Sequence, residues 1–207
     1  MVASQGVEQR LAQIDDIVDV PEAYRAQLGD VVVSTEQIQA KIAELGERIT
    51  KDYAGRELTL IGVLKGASLF LADLARRIQL PLRFDFMAVS SYGSATKTSG
   101  IVRILKDLDH EIEGEHVIVV EDIIDSGLTL NYLLKYLRAR RPASLEVCSL
   151  FSKEGRQRVQ IPVAYEGFQI GPEFVVGYGL DHQERFRNLG FLAVLNEHPE
   201  TKAARNR

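Results

Sequence analysis

The sequence predicts an α/β fold, a mostly parallel twisted sheet flanked by helices. Three observations predict it. Short apolar runs alternate with amphipathic stretches from residue 31 to near the end of the chain. Runs such as Leu58–Leu64 are apolar nearly throughout, as in strands covered on both faces. One of them, Val117–Val120, passes through acids and a glycine turn into an amphipathic helix. In such sheets ligands bind beyond the carboxyl ends of the strands.

Composition narrows the function classes. The 207 residues are 45% hydrophobic and 26% charged, the balance of one folded domain with a core that needs no disulfide or structural metal. The one cysteine, Cys148, lies in the apolar run Leu145–Phe151, where it reads as a small buried hydrophobe. A lone thiol fits a reducing compartment, and neither a membrane-length apolar run nor a signal pattern is present, so a cytoplasmic protein is expected. The net charge is −4, and residues 1–30 account for it with six acids against two arginines. The balanced remainder offers no basic field for nucleic acid.

Residues 1–30 are acidic, weakly periodic and interrupted by Pro21 and Gly29. They are expected to form a partly ordered extension, either a disordered acidic arm or an added helix. The main domain is placed at 31–196 and a tail at 197–207. Ser34-Thr-Glu-Gln37 is a capping-box start, with Ile38, Ile42, Leu45 and Ile49 on one helical face behind it. A strand follows at Leu58–Leu64, a helix at Ser68–Ile78 and a strand at Phe84–Val89. Ser91–Gly100 is rich in Ser, Thr and Gly and is expected to be a mobile loop, with a strand at Ile101–Leu105 returning from it. The strand His116–Val120 precedes a helix over Leu128–Arg140, marked by Leu130, Leu133, Leu134 and Leu137. Strands are expected at Leu145–Phe151 and Phe174–Val176, with Phe191–Leu195 closing the series. The basic tail Lys202–Arg207 is expected to fray.

The chemistry concentrates at Val117–Leu130. Glu121 and Asp122 stand where the buried strand emerges, and Asp125-Ser-Gly-Leu-Thr129 opens the helix. Gly127 permits a tight turn on which successive backbone N–H groups converge on an anion. Ser126 and Thr129 add hydroxyl donors, and the helix start adds its dipole. That half of the motif suits a phosphate monoester. The acid pair would repel phosphate, so it suits sugar hydroxyls or a hydrated Mg²⁺. A plain capped helix explains Ser126 and Gly127 but not three acids in five positions. A response-regulator-like acidic pocket leaves the glycine turn unexplained.

Val-Val-Glu-Asp-Ile-Ile-Asp-Ser-Gly-Leu-Thr resembles the signature of bacterial hypoxanthine (hypoxanthine-guanine) phosphoribosyltransferases, of the type I phosphoribosyltransferase family. The resemblance runs from about Val31 to about Asn196. It implies a small hood over the active site and a homodimer or homotetramer. Glu121 and Asp122 would lie at the ribose hydroxyls near the metal. Asp125–Thr129, including Leu128, would hold the 5-phosphate, with Asp125 as general base for the purine N7 proton. Leu128 departs from certain eukaryotic members, which carry lysine there, and leaves backbone and hydroxyl donors to hold phosphate. Leu64-Lys65-Gly66 matches the diphosphate loop, with a cis bond implied between Leu64 and Lys65. Ser91-Tyr92-Gly93 matches the flexible lid.

The same resemblance assigns Lys153 to the purine 6-oxo group, Phe174 and Val175 to the purine itself, Asp181 to the second metal position and Arg187 to diphosphate. Val176 reads as core, and His182 as structural or exposed. The implied reaction is Mg²⁺-dependent transfer of the 5-phosphoribosyl group from phosphoribosyl diphosphate to N9 of hypoxanthine or guanine, in purine salvage. Its products are the purine 5-monophosphate and diphosphate. A 6-amino group cannot accept from Lys153, so 6-oxopurines are favoured over adenine, while the order among hypoxanthine, guanine and xanthine stays open. An RNA-binding relative on the same fold needs a basic surface, which this chain lacks. An idle scaffold is disfavoured because every matched catalytic position is filled.

Overall fold

The computed structural model describes residues 20–91, 102–196, 198 and 202. In chain order its elements are α1 (Glu22–Arg25), β1 (Leu28–Val33), α2 (Thr35–Asp52), β2 (Leu58–Leu64), α3 (Ser68–Arg77), β3 (Leu82–Ser91) and β4 (Val102–Lys106). β5 (His116–Ile124), α4 (Leu128–Arg138), β6 (Ser144–Lys153), β7 (Tyr165–Ile170), β8 (Val175–Val176) and β9 (Leu192–Leu195) complete it.

The continuous apolar runs become neighbours in one six-stranded sheet, in the order β4-β3-β2-β5-β6-β7. β3, β2, β5, β6 and β7 are parallel, and β4 returns antiparallel along the β3 edge. Side chains of a strand alternate between faces, so each run is shared between two cores. Leu58, Leu60, Ile118, Val120, Cys148 and Leu150 face α2 and α3. Ile61, Val63, Val117, Val119 and Val147 face the opposite side, where Leu130, Leu133, Leu134 and Leu137 of α4 cover them.

α2 begins where the capping box places it. Ser34 Oγ accepts from Gln37 N at 3.3 Å, and Gln37 Oε1 accepts from Ser34 N at 2.8 Å. Its expected apolar face, Ile38, Ile42, Leu45 and Ile49, is fully buried. Cys148 is buried too, and burial pushes its thiol far above its ordinary pKa, which leaves it inert as a nucleophile.

Several boundaries move. The expected start at Val31 falls inside β1, because Leu28 is already buried against the end of the chain. Val20 and Leu28 join Phe186, Phe191 and Leu195 in a third apolar cluster. Residues 1–19 of the acidic extension lie outside the described residues. Phe191–Leu195 does not close the main sheet. β9 instead pairs antiparallel with β1 and β8, giving a small three-stranded sheet in the order β1-β9-β8. β7 is absent from the sequence reading because Tyr-Glu-Gly-Phe-Gln-Ile, an edge strand, is neither continuously apolar nor cleanly alternating.

Ser91 ends β3 rather than opening a loop, while Tyr92, Gly93 and the rest of the expected loop through Gly100, with the first residue of the expected strand Ile101–Leu105, lie outside the described residues. Apart from Lys202, so does the basic tail 202–207. Among the described residues no helix is long and apolar enough to cross a membrane.

Candidate active site

A cavity of about 320 Å³ opens at the carboxyl ends of β2, β5 and β6. Residues 63–66, 121–123 and 125 line it together with Lys153, Phe174, Val175, Leu180, Asp181 and Arg187. Ligands enter parallel sheets at this end, where loops rather than hydrogen-bonded strands present their backbone.

β5 runs four residues beyond Val120, so Glu121 and Asp122 belong to the strand and not to the loop after it. Glu121 is buried, and burial together with the neighbouring Asp122 raises its proton affinity well above that of an ordinary glutamate. Burial likewise pushes the Asp122 carboxyl up to about 6, although hydrogen bonds from the backbone N–H groups of Ile123 and Asp122 itself and the nearby Arg187 charge oppose it. Two carboxylates held side by side with so little solvation favour a cation or hydroxyl donors between them.

The Leu64–Lys65 peptide is cis, as the family resemblance implied. Gly66 follows, and a Cβ there would sit 1.6 Å from Asp122 Oδ2. The first strand-end loop therefore packs directly on the acid pair, and only glycine fits. The Lys65 side chain is 67% exposed, with Nζ 2.9 Å from Glu184 Oε2, and Lys65 and Gly66 both line the cavity.

Asp125 begins the turn into α4, and Gly127 caps the helix with φ of 76°, a left-handed conformation that favours glycine. Ser126 Oγ accepts from Leu128 N at 3.4 Å. Asp125 bounds the cavity, whereas Ser126, Gly127, Leu128 and Thr129 form the turn beside it. The expected phosphate turn is thus adjacent to this cavity and distinct from its walls.

Lys153 is the last residue of β6 rather than a residue after it, and it is only 5% exposed. Its Nζ lies 4.0 Å from Asp125 Oδ2 and 5.9 Å from the centre of the Phe174 ring. Val175 is buried on β8 and Val176 is core, as read from the sequence. His182 meets the Phe174 ring edge-on at 5.8 Å, and His198 stacks on it at 3.6 Å without bounding the cavity.

Asp181 and Arg187 meet in the cavity lining. Arg187 Nη2 is 2.7 Å from Asp181 Oδ1, and Nη1 donates to the carbonyl of Gly179 at 2.7 Å. Its Nε is buried with no hydrogen-bond partner. A guanidinium that lines a cavity suits an anionic ligand through its planar fork. Among the described residues, no three Asp, Glu, His or Cys side chains form a ready-made metal cage. Glu121, Asp122 and Asp181 all line the cavity without closing into such a cluster.

Sequence reasoning missed Leu180, which lines the cavity, and Arg156, whose Nε lies 3.0 Å from Asp125 Oδ1. Neither carries a local signal. Leu180 is one more apolar residue, and Arg156 is one of several basic residues in a polar stretch.

Residues 32–183 match the model of the phosphoribosyl transferase domain family. The chain is 52% identical over 181 residues to a hypoxanthine-guanine phosphoribosyltransferase of Mycobacterium tuberculosis, covering 84% of this chain and 90% of that one. It is 48% identical over 173 residues to a hypoxanthine phosphoribosyltransferase of Haemophilus influenzae, covering 81% and 97%. A crystal structure of a hypoxanthine phosphoribosyltransferase from Staphylococcus aureus superposes with a TM-score of 0.82 at 41% identity, over 86% of this chain and 96% of that one.

Proposed function

The chain belongs to the phosphoribosyl transferase family, and on that premise we propose that it salvages hypoxanthine and guanine by transferring a 5-phosphoribosyl group to N9. The observation that carries the choice of base is the placement of Lys153 Nζ 4.0 Å from Asp125 Oδ2, with the Phe174 ring beside them. A 6-oxopurine presents O6 and N7 on one edge, as an acceptor and a proton donor. Lys153 meets O6 and Asp125 meets N7, while Phe174 stacks on the ring.

N9 donates its electron pair to C1 of the ribose as the bond from C1 to the diphosphate oxygen breaks, with that pair leaving on oxygen. The N7 proton passes to Asp125. Arg187, Lys65 and Gly66 hold the leaving diphosphate, and the turn 125–129 holds the 5-phosphate through Ser126, Thr129 and backbone N–H groups. Glu121 and Asp122 accept from the ribose hydroxyls.

Mg²⁺ fits this donor set. Glu121, Asp122 and Asp181 line the same cavity without forming a closed cage, and Mg²⁺ favours one or two carboxylates completed by water and substrate phosphate oxygens. When bound, the ion offsets the charge of the departing diphosphate. Cys148, the only cysteine, and the absence of a membrane-length helix among the described residues support a cytoplasmic enzyme. Family likeness supports a homodimer or homotetramer, which analytical ultracentrifugation would report.

The test is product formation with Mg²⁺, phosphoribosyl diphosphate and each of hypoxanthine, guanine, xanthine and adenine. Monophosphates of hypoxanthine and guanine are expected, and turnover of adenine alone would overturn the choice of base. Asp125→Asn, which keeps the shape but not the basicity, should lower kcat by about 100-fold. Near-normal turnover in that variant removes Asp125 from its role.

A further inference from the structure

Asp125 is held from outside the cavity. Arg156, on the turn after β6, places Nε 3.0 Å from Asp125 Oδ1 and donates from Nη1 to the carbonyl of Pro172 at 3.3 Å. Arg156 does not bound the cavity, whereas Asp125, Lys153 and Phe174 do. Building on the transfer reaction proposed above, we propose that Arg156 is a positioning residue that fixes the Asp125 carboxylate against the purine edge.

A carboxylate has two oxygens, and here they face different partners. Oδ1 is engaged by Arg156, while Oδ2 lies on the Lys153 side, 4.0 Å from Nζ. The oxygen on the cavity side is the one in place for N7. Without Arg156, the carboxylate stands on a turn, 42% exposed, and can sample the other staggered rotamers, which carry Oδ2 off the purine edge. A rotation of this kind changes how often the base is in place, not how tightly phosphoribosyl diphosphate binds.

Arginine suits this task because its planar fork makes two directed bonds at once. The second bond matters as much as the first. Pro172 lies two residues before Phe174, so one guanidinium ties the N7 acceptor to the segment that carries the stacking ring. Lys153 cannot substitute, since it stands inside the cavity on the O6 side. A simpler role, anchoring a surface turn, would leave the chemistry of Asp125 untouched.

The experiment is a double-mutant cycle on the full chain, with Arg156→Gln, Arg156→Lys, Asp125→Asn and the Asp125→Asn/Arg156→Gln pair assayed with Mg²⁺, phosphoribosyl diphosphate and hypoxanthine. Arg156→Gln is expected to lower kcat by about 10-fold, with KM for phosphoribosyl diphosphate within about twofold of wild type. Arg156→Lys should recover part of the loss. In the Asp125→Asn background, Arg156→Gln should cost nothing further, because its effect runs through the carboxylate. Wild-type kcat in Arg156→Gln, or a full additional loss in the Asp125→Asn background, overturns the proposal while leaving the transferase reading intact. A wild-type chain that turns over none of the purines overturns the transferase reading and this proposal with it. Near-wild-type Tm in Arg156→Gln and Arg156→Lys separates loss of positioning from loss of fold.

Discussion

Gly66 and Asp122 come from two strand ends 56 residues apart in sequence, yet they occupy neighbouring space so closely that a methyl group cannot be added. With a Cβ 1.6 Å from Asp122 Oδ2, Gly66→Ala must displace either the acid pair or the loop that carries the cis peptide. Displacement on the scale of an ångström is expected to lower kcat/KM by about 100-fold. The overpacking should cost about 1–3 kcal/mol of stability in urea unfolding. Near-wild-type kinetics in Gly66→Ala would mean that the acid pair need not stay where it is. This close fit is invisible in the sequence, where Leu64-Lys-Gly66 reads equally well as an ordinary strand-to-helix turn. The acids themselves were legible, because three carboxylates in five positions after an apolar run have no purely structural explanation.

At the scale of elements, Asp73 on α3 joins the main domain to the segment after β8. Tyr178 Oη donates to Asp73 Oδ2 at 2.5 Å, Gln39 Nε2 of α2 donates to the same oxygen at 3.1 Å, and Arg76 pairs with Oδ1. Burial raises the carboxyl's proton affinity, but these three donors outweigh it and hold its pKa below the ordinary value of 3.8. A depressed pKa means that the unfolded chain takes up the proton first as the pH falls. Asp73 therefore contributes stability above about pH 4 and loses that contribution as the pH falls through its lower folded value. Asp73→Asn should lower Tm at pH 7, and its deficit relative to wild type should shrink between pH 4 and pH 2. A deficit independent of pH would mean that the carboxylate charge is not what holds these elements together. None of this was readable from α3 alone, whose sequence announces only an amphipathic helix. The helix was legible, and its partners were not.

Across the whole molecule, the carboxylates that could serve a cation are divided between the main sheet and the segment after β8. Glu121 and Asp122 lie on β5, and Asp181 lies beyond β8, where Arg187 already engages it at 2.7 Å. Carboxylates divided in this way are expected to bind cation and diphosphate together better than the cation alone. Mg²⁺ alone is expected to move Tm little. Mg²⁺ with phosphoribosyl diphosphate at about 100 times its Kd should stabilise by about 2.7 kcal/mol, or roughly 5–10 °C for a chain of this size. A large shift with Mg²⁺ alone would show a preformed metal site and would sink the shared-ligand reading.

Sequence by itself determined the α/β class, the strands at Leu58–Leu64 and from His116, the capped start of α2, and the glycine turn after the acid pair. Those features rest on periodicity, caps and turn chemistry, which act within a few residues and are therefore written locally. Tertiary structure alone decided that β9 stands outside the main sheet, paired with β1 on one side and β8 on the other, and that β7 forms an edge. It also decided that Arg156 meets Asp125 and that Arg187 meets Asp181. Such meetings depend on the order in which strands pair and on which faces are buried, and no local pattern in the chain encodes either.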